Sequence, residues 1–115
     1  LQEKLVEKSY LSARLYYDLK EYRAATVSLA NSLKEYPDTR YREELMYLKL
    51  DAQYLLAVNS IPSKKVERYQ TTLDEYYSFI EEFPESKFSK DVYRIFENTA
   101  KYLQIDTSVQ PTDNN

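Results

Sequence analysis

Asn31 to Tyr41 reads NSLKEYPDTRY, and Ser78 to Phe88 reads SFIEEFPESKF. Both pass through an apolar residue, a charge, Glu, an aromatic, Pro, an acid, a hydroxyl, a base and a second aromatic. The copies lie 47 residues apart. Pro cannot continue a helix and disfavours helical geometry in the residue before it. Each stretch therefore reads as the end of one helix and the entry to another. Thr39 and Ser86 are the expected N-caps of the helices that follow.

Working outward from these corners, apolar residues recur at helical spacing in five segments. The expected helices span about 3–18, 21–36, 40–58, 62–83 and 87–103. Their inward stripes are Leu5, Ala13, Tyr16 and Tyr17 in the first, and Tyr22, Ala25, Leu29 and Leu33 in the second. The third carries Tyr41, Leu45, Leu48, Ala52, Leu55 and Leu56. The fourth carries Val66, Tyr69, Leu73, Tyr76, Ile80 and Phe83, and the fifth Phe88, Val92, Ile95, Phe96 and Leu103. Between the third and fourth, NSIPSKK breaks the pattern, with Ser60 as the expected cap and Pro62 in a first turn. The polar stretch 104–115 has no period and is expected to be disordered. The order is helix pair, Pro corner, helix pair, Pro corner, helix, so the chain reads as an all-α array of antiparallel hairpins. A generic helical bundle is the alternative.

Composition agrees. The 115 residues contain no Gly, His, Cys or Trp, and 13 Tyr. Without Gly there is no phosphate-binding loop or dinucleotide fingerprint. Without His and Cys the commonest general base, nucleophilic thiolate and zinc ligands are missing. Adjacent acids such as Glu43–Glu44, Asp74–Glu75 and Glu81–Glu82 point about 100° apart on a helix and read as solvated faces. No enzyme, metal or cofactor is expected. The net charge of −3, with signs mixed along the chain, argues against nucleic acid. No apolar run approaches a membrane span. The first residue, Leu1, already lies in a helical pattern, so a fragment of a longer chain is expected.

The hairpins resemble the tetratricopeptide repeat, a helix pair of roughly 34 residues closed by Pro. On that pattern Ala13 and Tyr16, then Ala25 and Leu29, occupy its small and large positions. In the next unit these are Ala52 on the first helix and Thr72 and Tyr76 on the second. The resemblance implies pairs stacked in a right-handed superhelix of five helices. The 47-residue spacing exceeds that of the repeat. The excess is expected in an extended hairpin around 59–65 and a longer crossing after Pro37.

Four stretches in order, SARLYYDLKEYRAA, LKEYPDTRYREE, YLLAVNSIPSKKVERYQ and DEYYSFIEEFPESKF, are similar to the C-terminal half of the BamD (YfiO-like) family of outer-membrane assembly lipoproteins. That resemblance implies a non-catalytic scaffold at the periplasmic face of the outer membrane. It implies docking to a POTRA domain of BamA and contact with other subunits of the assembly machine. A lipid anchor on an N-terminal Cys would lie outside this sequence. A tetratricopeptide adaptor that holds a peptide or protein in its concave groove is the competing reading.

First helices of such arrays line a concave face. The candidate partner-binding residues there are Tyr10, Arg14 and Tyr17, then Met46, Lys49 and Gln53, then Tyr93 and Glu97. Tyr and Arg carry binding hot spots, and Met repacks to suit a partner. Packing within the fold is the other reading of each Tyr. Lys64, Lys65 and Arg68, cations at a helix start, form a second candidate patch. Tyr102 and Tyr93 do not fit a simple polar cap on the last helix. Lys87, Lys90, Asp91, Arg94, Glu97, Asn98 and Lys101 do fit one.

Overall fold

The computed structural model describes residues 2–105. Five helices follow one another: α1 (Gln2–Asp18), α2 (Tyr22–Glu35), α3 (Arg42–Val58), α4 (Pro62–Glu82) and α5 (Ser89–Leu103). No strand occurs among the described residues. Most of the expected tail lies outside the described residues. Gln104 and Ile105 close α5, where Ile105 N–H donates to the Ala100 carbonyl at 2.9 Å.

Both Pro corners share one backbone geometry. Tyr36 and Phe83 end α2 and α4 at φ/ψ of −127/73 and −129/68. Tyr41 and Phe88 open α3 and α5 at −92/11 and −93/4. The residues expected as caps, Thr39 and Ser86, fall two residues before the actual cap positions, Tyr41 and Phe88. Their hydroxyls instead accept the N–H of Tyr41 at 3.1 Å and of Phe88 at 3.0 Å, which tightens the turn before the helix. The corners also grip each other. Arg42 holds Glu82 by a fork of two bonds, and Ser86 donates to Glu43 at 2.5 Å. That fork keeps the Glu82 carboxyl below its usual range, so its contribution is present at neutral pH and fades as acid protonates it.

The excess length sits elsewhere than expected. The turn between α3 and α4 is three residues, as is the turn between α1 and α2, and the two corner crossings match. The extra residues lengthen helices: α4 has 21 residues against 14 in α2. Ser60 is not the cap of α4 either. Ile61 occupies that position, while the Ser60 hydroxyl donates back to the Leu56 carbonyl at 2.6 Å. With no Gly to take left-handed backbone, Lys20 after α1 and Gln104 after α5 adopt it at φ 62 and 60, at a cost of roughly 1 kcal/mol each.

Helix α3 is central. It packs against α1, α2, α4 and α5, so residues all around it are buried, including Leu50, Asp51, Gln53, Tyr54 and Ala57 outside the expected stripe. Small residues stand where helices approach: Ala13, Ala25, Ala52 and Thr72 are all buried. The Thr72 hydroxyl returns to the Arg68 carbonyl at 2.9 Å, which lets a polar residue sit in a dry seam. In α1 the stripe is narrower than expected. Tyr10 and Ala13 are buried, whereas Leu5 and Tyr16 face solvent, because among the described residues α1 packs only on α2 and α3. Val66 is likewise exposed near the start of α4.

Thr99 in α5 is fully buried and its hydroxyl has no partner among the described residues. A buried hydroxyl left unpaired costs on the order of 1 kcal/mol or more. Thr99→Val keeps the shape and removes the orphan group. Urea denaturation is expected to show a gain of about 1 kcal/mol, and a loss would mean the hydroxyl is satisfied.

Candidate partner-binding surface

Successive first helices touch, α1 with α3 and α3 with α5, while α2 and α4 do not meet among the described residues. The stack is closed along its first helices and open along its second. The first-helix edge is therefore the inner one.

A ladder of tyrosines runs along that edge. Tyr10 and Tyr17, seven residues apart on α1, donate to Glu44 at 2.7 Å and Asp51 at 2.5 Å, also seven apart on α3. Tyr47 and Tyr54, seven apart on α3, meet Asp91 and Asn98, seven apart on α5. Tyr47 donates to Asp91, and the Asn98 amide donates to the Tyr54 hydroxyl at 2.9 Å. The rings add stacking across the corners. Tyr10 lies parallel to Tyr41 at 3.9 Å between centroids, and Tyr47 parallel to Phe88 at 4.3 Å. Each first helix thus holds the next through two polar rungs and one ring pair.

Burial shapes the chemistry of the rungs. Asp51 is 6% exposed, and loss of solvent pushes its carboxyl above the usual range against the opposing pull of the Tyr17 bond. Burial, then the bonded acids, raise the Tyr17 and Tyr47 phenols well above theirs, so both remain protonated donors at neutral pH. No group of acids among the described residues is arranged to hold a metal ion.

The concave-face candidates are mostly engaged within the chain. Tyr10 is 7% exposed. Arg14 is held by the Tyr10 hydroxyl at 2.8 Å and by Glu44 at 3.0 Å. Tyr17 is half-buried on Asp51. Met46, Lys49 and Gln53 turn away from the inner face. Lys49 pairs with Glu75 of α4 at 2.9 Å, Gln53 donates to the Arg68 carbonyl at 3.2 Å, and Met46 packs on the core shared with α4 and α5. A helix enclosed by four neighbours has no face that periodicity alone could assign.

The second patch is divided. Arg68 donates to the Ser60 hydroxyl at 2.7 Å and fastens the α3–α4 turn. Lys64 is exposed. Lys65 and Tyr102, from opposite ends of the chain's second half, come together with the ammonium 5.8 Å from the ring centre, and Tyr102 stacks on Tyr69 at 4.3 Å.

Tyr93 and Glu97 remain open on α5, with Tyr93 51% exposed. Around Tyr93 lie Lys87, Lys90 and Arg94, together with a cleft lined by Tyr76, Ile80, Pro84 and Val92. The basic residues read from sequence as a polar cap. From sequence Glu44 reads as a solvated face and Asp91 as part of the cap, although Glu44 and Asp51 repeat the seven-residue spacing of Tyr10 and Tyr17.

Helix pairs closed by identical corners, with small residues at the crossings, define this chain as an all-α array of the tetratricopeptide type. A family model described as YfiO, outer membrane lipoprotein, matches residues 3–106. The chain belongs to that family, the one to which its BamD-like wording pointed, and so to the lipoproteins of outer-membrane assembly. No curated protein matches the chain. None of the described helices is long and apolar enough to cross a membrane.

Proposed function

We propose that this chain is a non-catalytic scaffold at the periplasmic face of the outer membrane, and that its C-terminal hairpins dock a POTRA domain of BamA. The observation that carries the reading is the ladder on the inner edge. Tyrosines and acids that elsewhere serve chemistry are here spent in holding one helix against the next. Such an array keeps its surfaces in fixed relation, which lowers the ordering cost of binding a folded partner. Membership in the outer membrane lipoprotein family supplies the setting.

The groove-binding alternative gains less support. Arg14 and Lys49, the cations it needs free, are committed to Glu44 and Glu75. Calorimetric titration of the folded chain with the periplasmic region of BamA tests the proposal. Saturable binding with a dissociation constant in the micromolar range or tighter is expected, corresponding to about −8 kcal/mol. Absence of binding by a chain whose helicity is verified by circular dichroism would defeat it.

A further inference from the structure

We propose that the outer face of α5 and the cleft beside it form a docking surface for an acidic protein segment that carries one apolar anchor. The identity of the partner rests on the docking reading above; the surface itself does not.

Tyr93 is a ridge between two depressions. On one side is a cleft of about 330 Å³ floored by Tyr76, Ile80, Pro84 and Val92. On the other is a wider hollow of about 550 Å³ over Phe88, rimmed by Lys87, Lys90 and Arg94. The fold makes little use of the Tyr93 ring, which only leans on Phe96 at 6.0 Å between centroids. Its hydroxyl has no side-chain partner among the described residues. An exposed aromatic between an apolar cleft and a charged rim has the composition of a binding anchor.

Charge selects the occupant. Arg94 is paired with Asp91 at 2.7 Å. Lys87 and Lys90 have no ion-pair partner among the described residues, in a chain whose net charge is −3. Both flank the start of α5, where the positive end of the helix dipole disfavours cations. An acidic partner relieves that repulsion. Glu97 closes the opposite end of the basic hollow and repels an acid there. The partner's acidic side chains therefore lie toward Lys87 and Lys90, with its apolar residue across Tyr93 in the α4–α5 cleft. The surface has a firm backing, because Phe88 is stacked on Tyr47 and Asp91 accepts the Tyr47 bond.

The test uses the whole chain, the double variant Lys87→Glu/Lys90→Glu, and Tyr93→Ala, each checked for helicity. All are titrated with the BamA periplasmic region and with a short labelled peptide of Asp and Glu around one Leu. They are also titrated with phosphatidylethanolamine–phosphatidylglycerol vesicles. The proposal expects peptide binding that weakens at least about tenfold in each variant, the charge-reversed one losing most of its salt dependence. Binding of the BamA region that is equal in all three chains, with no peptide binding, overturns the surface and leaves the docking reading standing. Peptide binding that the variants lose, with no binding of the BamA region, supports the surface and removes the partner. Binding to vesicles alone, or self-association abolished by Tyr93→Ala without peptide binding, overturns the proposal in favour of lipid or a second copy.

Discussion

Replacing Phe79 with alanine is expected to lower the unfolding free energy by about 3–5 kcal/mol. Phe79 is 1% exposed and lies in the core that α3, α4 and α5 share. Its ring meets Phe83 at 5.6 Å between centroids. Domains of this size are stable by only about 5–15 kcal/mol. The substitution therefore removes a large share of the total, and urea denaturation followed by circular dichroism measures it. Phe79→Leu retains much of the volume and should cost far less. A loss below about 1 kcal/mol for the alanine variant would show that α4 repacks, contrary to the tight seam described.

The second large effect concerns the inner ladder. Tyr17→Phe deletes the hydroxyl that serves the buried Asp51 carboxylate and leaves that charge unpaired. A hydrogen bond to a charged group contributes about 1.5–3 kcal/mol, and a loss of that order is expected at neutral pH. The pH dependence follows from the raised carboxyl of Asp51. An acid whose folded-state pKa lies above its unfolded value stabilises the fold most when protonated. That contribution is complete below the unfolded pKa and is lost as pH rises through the folded one. The loss from Tyr17→Phe is thus expected to be smaller at about pH 4 than at about pH 7. Asp51→Asn removes the titration, and its stability relative to the parent should rise over the same interval. Combining the two substitutions closes a double-mutant cycle. A coupling near zero would show that the rung carries no energy.

How much of this was legible in the sequence depends on how local the physics is. The corners were, because Pro, a hydroxyl and two aromatics act within a few residues of one another, and their order repeats. The helix stripes were legible where a helix has one buried face, as α5 does with Val92, Ile95 and Phe96. On α4 the stripe leaves out Phe79, which is buried beside Tyr69, Thr72 and Tyr76, because a helix wedged between two others buries a broader arc than one stripe. On α3 one stripe falls short for the stronger reason that four helices surround it. Tyr10 and Tyr17 look like binding residues because exposed and buried tyrosines are identical in a sequence. Only the position of Glu44 and Asp51 on the next first helix distinguishes them.

The same limit applies to the surface on α5. Lys87 and Lys90 look like ordinary solubilising residues until the described residues are folded around them and supply no carboxylate. The apolar cleft beside them joins Pro84 from a corner to Tyr76 and Ile80 from the preceding helix. No spacing rule within one element would have brought those residues together.

A stack bolted along one margin and unfastened along the other deforms unequally. Because α2 and α4 never meet among the described residues, the outer rim is joined through α3, on which both pack, while the tyrosine bolts tie the first helices to one another directly. Strain imposed by a tethered neighbour would then appear as a change of curvature, with the bolted margin serving as the pivot.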